Sequence, residues 1–245
     1  DLGRFHIKRS DEYPVHYIYL FHSMYSVHSY LRKGAVDNYD TVFCVGPHQV
    51  KEIRETERVY GLKEKKLINY GYGRLDTLLQ KKISSQAAKP NSRNSIIIAP
   101  SYGDNNLLEK CGIQLIDVLL KSNFRVMLRP HLRTLRDSTE LINSIQENFG
   151  GNPNFVLERG VITFDSLNNS LCMISDWSGI SLEYAFTFER PVISIDVPKK
   201  VLNPNSSDIA LEPIETSIRN KIGNIVSPNN LEEILVLIRD LDKST

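Results

Sequence analysis

The stretch LCMISDWSGISLEYAFTF, residues 171–188, decides the fold because a short apolar run leads directly into a sequence of helix length. The run LCMIS is apolar throughout, which is typical of a strand that is buried on both faces of a parallel sheet. Ser178 and Gly179 are small and open the part that follows. A strand, a tight turn and a helix in this order are the unit from which doubly wound α/β sheets are built.

Four more runs of the same kind occur after residue 94. They are SIIIAP (95–100), FRVMLRP (124–130), NFVLE (154–158) and PVISID (191–196). Amphipathic stretches alternate with them, and a last helix is expected over residues 231–243, where apolar residues recur at spacings of three and four. The alternation predicts a Rossmann-like α/β domain with a parallel sheet over residues 86–245.

The first part of the chain repeats this pattern in a shorter form. Its strand-like runs are VHYIYLF (15–21), DTVFCVG (40–46) and KKLINYGYG (65–73). A helix is expected between the second and third runs, beginning at Pro47 and ending at Gly61. We therefore expect a partial Rossmann-like domain over residues 1–85.

The polar stretch QKKISSQAAKPNSRN, residues 80–94, is the best candidate for a linker and places the expected domain boundary near residue 85. Three strands are few for a closed domain. The first residue is also Asp rather than Met, so we expect the chain to be a fragment or a processed form.

The composition is that of an ordinary soluble protein. Of the 245 residues, 41% are hydrophobic and 24% are charged, and 30 Lys and Arg against 29 Asp and Glu leave a net charge of +1. This balance argues against a general nucleic-acid-binding protein, which needs an excess of Lys and Arg. No apolar run approaches the ~20 residues that span a bilayer. Cys44, Cys111 and Cys172 lack metal-binding spacing and are expected to be buried, reduced thiols.

The turn at Ser178 and Gly179 is the first candidate site. Backbone N–H groups at the start of a helix and the positive end of the helix dipole together favour a phosphate or diphosphate group. Asp176 or Ser178 is expected to cap this helix, and Glu183 lies about one turn inside it, on a face suited to a ribose hydroxyl. The alternative interpretation is an ordinary capped helix of an α/β fold.

Two further strand ends carry polar side chains, and the ligands of doubly wound sheets bind at the carboxyl ends of strands. Arg129 and His131 follow the run FRVML, and both side chains suit phosphate oxygens; the alternative is a solvated basic loop. Ser101 follows SIIIAP and offers a hydroxyl; the alternative is a simple turn from strand to helix.

His22 follows the first apolar run, and its place at a strand end suits a general base; the alternative is a hydrogen-bonded structural histidine. His16 and His28 lie nearby in the sequence, but their spacing does not converge, so no metal site is expected. The chain has neither GxxxxGK[ST] nor GxGxxG. The phosphate-loop and dinucleotide interpretations therefore lose their main support, and no cofactor is expected.

Taken in order, six segments resemble the CDP-glycerol glycerophosphotransferase family, which includes polymerases of the teichoic-acid and capsule type. They are FHSMYS (21–26), VDNYDTVFCVGPHQVKEI (36–53), YGYGRLDTLL (70–79), IIIAPSYGD (96–104), LRPHLR (128–133) and FDSLNNSLCMISDWSGISLEYAF (164–186). The last segment is the most specific. The chain departs from the family pattern at Ser23, where Gly is usual, at residues 101–103, where Ser-Tyr-Gly replaces Thr-Trp-Arg, and at Trp177 and Gly179, which replace Tyr and Ser.

This resemblance implies a GT-B arrangement of two Rossmann-like domains, with residues 1–85 on the acceptor side and residues 86–245 binding the nucleotide donor. It implies transfer of glycerol phosphate or ribitol phosphate from CDP-glycerol or CDP-ribitol to a hydroxyl of a bacterial cell-surface polymer, with release of CMP. The acceptor hydroxyl attacks the β-phosphate, and His22 takes its proton.

The resemblance also assigns roles in the second domain. Arg129 and His131 stabilise charge on the diphosphate, and the backbone N–H groups from Ser178 to Ser181 hold the leaving phosphate. Phosphoryl transfer makes the same demand that the residues suggest, since it needs positioning and charge neutralisation more than covalent chemistry.

The implied acceptor is lipid-linked or polymeric, so we expect a cytoplasmic protein with at most peripheral attachment to the membrane. Three rival functions stay open. They are a GT-B glycosyltransferase that uses a nucleotide sugar, a nucleotide-sugar epimerase that acts without an acceptor, and an inactive nucleotide-binding or assembly module.

Overall fold

The computed structural model describes residue 2 and residues 7–85, 95–160, 163–200 and 202–242. The chain forms two compact units. The first contains Asp1–Arg74 and Lys200–Ile218, and the second contains Leu75–Lys199 and Arg219–Thr245.

The expected domain boundary near residue 85 is therefore not where the compact units divide. Helix Gly73–Ser85 takes up the beginning of the predicted linker at residues 80–94, and the remainder of that linker, residues 86–94, lies outside the described residues. The assignment of an acceptor side and a donor side to residues 1–85 and 86–245 stays a prediction.

Strands and helices alternate along the described residues. The strands are β1 Ile18–Leu20, β2 Thr41–Cys44, β3 Lys66–Asn69, β4 Ser95–Ala99, β5 Arg125–Leu128, β6 Phe155–Leu157, β7 Ser170–Ser175, β8 Val192–Ile195 and β9 Ile225–Val226. The helices are α1 Val27–Tyr30, α2 Pro47–Tyr60, α3 Gly73–Ser85, α4 Leu107–Lys121, α5 Leu132–Asp137, α6 Thr139–Phe149, α7 Phe164–Asn168, α8 Ile180–Phe188, α9 Ile214–Ser217, α10 Arg219–Ile222 and α11 Glu232–Asp242, with a 3-10 helix at Ser206–Asp208.

The larger sheet has the order β6-β5-β4-β7-β8-β9, and every neighbouring pair is parallel. Within this sheet the first strand in the sequence, β4, is central. The next two, β5 and β6, lie on one side of it, and β7, β8 and β9 lie on the other. The strand order reverses between β4 and β7, which is where a doubly wound sheet opens a crevice at its carboxyl edge. The predicted Rossmann-like α/β sheet is confirmed, while β9 was missed because it has only two residues.

The apolar runs are explained by packing on both faces of this sheet. Ile96 and Ile98 of β4 belong to one buried cluster, which also holds residues of α4 and α11. Ile97 and Ala99 belong to a second cluster, which holds residues of α8. Full burial of one such isoleucine contributes about 1.5–3 kcal/mol, so these strands cannot alternate with polar residues without a large loss of stability.

The smaller sheet has the order β1-β2-β3 and is also parallel. Its inner face packs Val42 against Ile53 of α2. On the opposite face, Ile18 is 54% exposed and Leu20 is 52% exposed. The helix α2 begins at Pro47 and ends at Gly61, whose φ of 62° is left-handed, so both predicted ends are confirmed.

The three cysteines are buried and unbridged, as the sequence predicts. Burial raises the pKa of Cys172 to about 12 and the pKa of Cys44 and Cys111 to about 11, so these thiols stay protonated and unreactive near neutral pH. Among the described residues, no helix combines the length and the apolar character needed to cross a bilayer.

Gly223 offers a test of how β9 joins the sheet of the second unit, because it lies two residues before β9 and against the backbone of β8. A Cβ at Gly223 would lie 2.0 Å from the carbonyl oxygen of Val192, which is part of the backbone and cannot turn away. We expect Gly223→Ala to lower the free energy of unfolding by about 1–3 kcal/mol, measured by urea denaturation.

Gly151→Ala is the matched control, since no heavy atom lies within 4 Å of the added Cβ, and its free energy of unfolding should change by no more than about 0.5 kcal/mol. Equal urea midpoints for the two variants would show that β9 does not need this close approach.

Candidate functional site

The carboxyl ends of β4 and β7 are held together by one buried carboxylate. Asp176 Oδ1 accepts a hydrogen bond from the Ser101 N–H at 2.6 Å. Its Oδ2 accepts the Ser101 hydroxyl at 3.1 Å and the N–H of Leu107, the first residue of α4, at 2.9 Å. Asp176 is only 4% exposed, so its carboxylate is used to tie the β4–α4 loop to the β7–α8 loop.

Burial raises the pKa of Asp176, against the opposing effect of hydrogen bonds from the N–H groups of Leu107, Ser101 and Trp177 and from the Ser101 hydroxyl. The prediction that Asp176 or Ser178 caps the following helix is wrong. The N-cap of α8 is Gly179, which has no side chain that could cap the helix. Asp176 instead binds the first turn of α4. Its role as a substrate contact stays a prediction.

The start of α8 keeps part of the predicted anion site. Both the N–H and the hydroxyl of Ser181 donate to the Ser178 carbonyl, at 3.1 Å and 2.7 Å, so Ser181 is already engaged. Within the described part of the chain, no acceptor binds the N–H groups of Gly179 or Ile180. These two donors lie at the positive end of the helix dipole, where an anion is favoured.

Glu183 lies on α8, a helix that is buried along most of its length, and only 9% of the residue is exposed. A ligand therefore has less access to the Glu183 carboxylate than its place in the first turn of a helix suggests. The predicted contact between Glu183 and a ribose hydroxyl stays a prediction.

The end of β5 lies beside the end of β4 and carries Arg129 and His131. The Arg129 N–H donates to the Ile98 carbonyl at 2.9 Å and so continues the pairing of the two strands. His131 is the N-cap of α5, and its Nδ1 accepts the Arg133 N–H at 3.0 Å. Because Nδ1 is an acceptor, the neutral ring carries its proton on Nε2, which is a hydrogen-bond donor suited to a phosphate oxygen.

Tyr102 connects the loops that follow β4 and β5. Its ring centroid lies 4.5 Å from that of His131, and the Arg133 guanidinium carbon lies 4.5 Å from the same ring. Gly103, with φ of 88°, supplies the left-handed turn that brings the chain to Asn106, the N-cap of α4. Most predicted residues of the second unit therefore lie just after three adjacent strands, β5, β4 and β7, while Ser181 and Glu183 lie on α8.

His22 follows β1 in the first unit, at the carboxyl edge of the smaller sheet, and is exposed. The backbone at Phe21 and His22 is held by groups from β2 and from the segment after β3. The Phe21 N–H donates to the Phe43 carbonyl of β2 at 3.2 Å, and the Tyr72 hydroxyl, beyond β3, donates to the His22 carbonyl at 3.1 Å. A fixed backbone with an exposed ring suits a proton-transfer group.

Gln49 of α2 fixes the segment that follows His22, and the sequence reasoning missed it. Gln49 is fully buried. Its Nε2 donates to the carbonyls of Ser23 and Tyr25 at 3.0 Å and 2.9 Å, and its Oε1 accepts the Val45 N–H at 2.9 Å. The available signal was a polar residue one helical turn before the buried Ile53, on the apolar side of an amphipathic helix.

The other two histidines near His22 lie in separate environments. His16 Nε2 is 2.8 Å from the Thr41 hydroxyl. His28 is buried, with Nδ1 3.3 Å from Glu52 and Nε2 3.0 Å from the Leu211 carbonyl. Within the described residues, no group of three or more His, Cys, Asp or Glu side chains is arranged to hold a metal ion.

Asp176→Asn tests the tie between the two loops. An amide keeps the shape of the side chain but places an NH₂ group against an N–H or hydroxyl donor, which leaves a buried donor unsatisfied. We expect the free energy of unfolding to fall by about 1–3 kcal/mol, measured by urea denaturation. Asp104→Asn, an exposed position in the same loop, is the control and should leave the unfolding midpoint unchanged; an equal loss in both variants would contradict the assignment.

Gln49→Met tests the support of His22 by removing the hydrogen bonds to Ser23, Tyr25 and Val45 without opening a large cavity. We expect a loss of about 1–3 kcal/mol in unfolding free energy and faster hydrogen exchange of the Val45 amide, followed by NMR. Gln80→Met makes the same change on the exposed face of α3 and should alter neither quantity. Unchanged exchange at Val45 in Gln49→Met would refute the role.

Comparisons with known proteins agree with this architecture. The family model of CDP-Glycerol:Poly(glycerophosphate) glycerophosphotransferase matches residues 29–197, a stretch that contains the candidate site residues of the second unit and begins after His22. No curated protein sequence matches the chain.

Two solved structures share the fold. A UDP-GlcNAc 2-epimerase from Methanocaldococcus jannaschii, in complex with UDP-GlcNAc and UDP, aligns with a TM-score of 0.54 at 14% identity, over 82% of this chain and 54% of that one. The wall teichoic acid polymerase TagF aligns with a TM-score of 0.51 at 16% identity, over 96% of this chain and 62% of that one. The chain thus spans little more than half the length of these proteins, and the likeness confirms the predicted GT-B-like α/β fold class. Since the family model covers well over half of its residues, the chain belongs to the CDP-glycerol:poly(glycerophosphate) glycerophosphotransferase family.

Proposed function

We propose that the protein transfers glycerol phosphate or ribitol phosphate from a CDP-linked donor to a hydroxyl of a bacterial cell-surface polymer and releases CMP. Family membership supports a transferase that uses a CDP-linked donor. The observation that carries the proposal is the set of hydrogen-bond donors at adjacent strand ends in the second unit. The His131 Nε2–H and the N–H groups of Gly179 and Ile180 are donors of the kind that a diphosphate requires.

The proposed reaction breaks the bond between the β-phosphorus and the oxygen that bridges to CMP. The acceptor oxygen bonds to the β-phosphorus, and the bonding electrons leave with CMP, whose phosphate gains negative charge. Donors that are already fixed before the reaction stabilise this charge without reorganising, which is a major source of rate in phosphoryl transfer. Asp176 serves here as a positioning residue, since it fixes Ser101 and the loops on either side.

In the proposed reaction His22 takes the proton of the acceptor hydroxyl. Histidine is suited to this step because its imidazole is the side chain that most often serves as a general base. The hydrogen bonds of Gln49 and Tyr72 to the adjoining backbone support the role, since a base must be held in place to act.

The proposed acceptor is lipid-linked or polymeric, and the proposed location is the cytoplasm, with peripheral contact at the inner face of the membrane. The cluster Lys63–Lys66 contributes less to such a contact than its sequence suggests. Lys65 is buried and lies 3.5 Å from the carboxylate of Glu57. Arg32 and Lys33 are exposed, although Lys33 also lies 3.7 Å over the ring of Tyr60.

We expect His22→Ala and His131→Ala each to lower the rate of CMP release by a factor of about 10²–10⁴, because each removes a group that acts on the reacting phosphate or hydroxyl. The measurement is CMP release from CDP-glycerol and CDP-ribitol with a polyol phosphate acceptor. His16→Ala, an exposed histidine before the same strand as His22, is the control and should retain the rate.

The same assay with UDP-sugars and GDP-sugars separates the rival functions. Turnover of a nucleotide sugar in place of CDP-glycerol would replace the proposal with a glycosyltransferase or an epimerase. Full activity of both histidine variants would eliminate the mechanism, and CMP binding without turnover would indicate a nucleotide-binding module.

A further inference from the structure

The helix α5 carries one more positive charge than its carboxylate neutralises. Arg136 binds Asp137 through two hydrogen bonds, from Nε at 2.6 Å and from Nη2 at 3.1 Å. Arg133 approaches the same carboxylate less closely, with its Nε 3.5 Å from Oδ2. The carboxylate of Asp137 therefore binds Arg136 more closely than Arg133, and it compensates the positive charge of Arg133 only in part.

The guanidinium of Arg133 is oriented by an aromatic ring from another loop. It lies over Tyr102 at 4.5 Å, and the ring of His131 lies at 4.5 Å from the same tyrosine, so the three planar groups form what we call the Tyr102 stack. A cation–π contact holds a guanidinium over an aromatic face and leaves its N–H groups able to bind an anion. The Arg133 side chain is 54% exposed and so accessible to a ligand.

The Tyr102 stack lies at the edge of the sheet that carries the proposed donor site. Tyr102 follows Ser101, whose N–H is bound by Asp176, and the Arg133 N–H binds His131 Nδ1. The backbone bond that leaves the proton on His131 Nε2 thus comes from Arg133 itself, and both side chains contact the ring of Tyr102. A guanidinium and an imidazole N–H on one loop make a combination suited to adjacent phosphate groups.

We propose that Arg133 is a binding residue for the diphosphate of the nucleotide donor, acting together with His131. The proposal rests on the proposed function for the identity of the donor, but it concerns the phosphates alone. The proposed diphosphate site then includes Arg133, which contacts Tyr102 from the loop after β4 and His131 from the loop after β5.

Arg136 offers a matched control, since it lies on the same helix and pairs with the same Asp137. We expect Arg133→Gln to weaken the binding of CDP-glycerol by a factor of about 10–100 in isothermal titration calorimetry, since a charged hydrogen bond to phosphate is lost. Arg136→Gln should change the dissociation constant by less than a factor of two. Arg133→Lys keeps the charge but not the planar group, so it should give an intermediate loss.

Two further measurements make the result specific. Cytidine, which has no phosphate, should bind Arg133→Gln as it binds the unsubstituted protein, and the urea midpoints of the two glutamine variants should agree. CDP-glycerol binding to Arg133→Gln within a factor of two of the unsubstituted protein would overturn the proposal. Equal losses for Arg133→Gln and Arg136→Gln would also overturn it, because they would indicate a general effect of charge.

UDP-GlcNAc serves as a second probe that separates this proposal from the proposed function. If the unsubstituted protein binds UDP-GlcNAc but not CDP-glycerol, the proposed donor is wrong, while a tenfold weaker binding of UDP-GlcNAc to Arg133→Gln would still support the role of Arg133. Binding of neither nucleotide by the unsubstituted protein would overturn both.

Discussion

A buried carboxylate must find hydrogen-bond donors, because leaving a charge without partners in a low-dielectric interior costs several kcal/mol. Asp176 meets this requirement with hydrogen bonds from Ser101 and from the first turn of α4. These bonds join two loops at the carboxyl edge of the larger sheet. They fix the loops on both sides of the point where the strand order reverses. The position of Tyr102, and with it that of the Tyr102 stack, follows from the same constraint.

Local sequence was sufficient to predict most of the larger sheet. Its central strands need apolar residues on both faces, so the runs around Ile97 and Met173 are visible without any knowledge of their partners. The strand β9 has no such signal. It pairs with β8 next to the close approach of Gly223 to Val192, and a contact between residues that are distant in the sequence cannot be found from the composition of either one.

The candidate site also contains residues that local sequence predicts and residues whose role depends on distant contacts. Strand-end residues such as Arg129 and His131 were predictable, because their place after an apolar run is a local property. The function of Asp176 was not, since its partner Ser101 is 75 residues away, and a carboxylate before a helix is expected to cap that helix. Gln49 was missed for a similar reason, because the two partners of its Nε2, Ser23 and Tyr25, lie in a loop more than twenty residues earlier.

The smaller sheet has a property that matters for handling the protein. Ile18 and Leu20 expose apolar side chains on β1, which is one of the two edge strands of that sheet in the described residues. Exposed apolar side chains on an edge strand, whose backbone groups can pair with another chain, are a recognised cause of aggregation. The first unit therefore carries an edge that favours association, and Ile18→Lys or Leu20→Lys would place a charge there that opposes it.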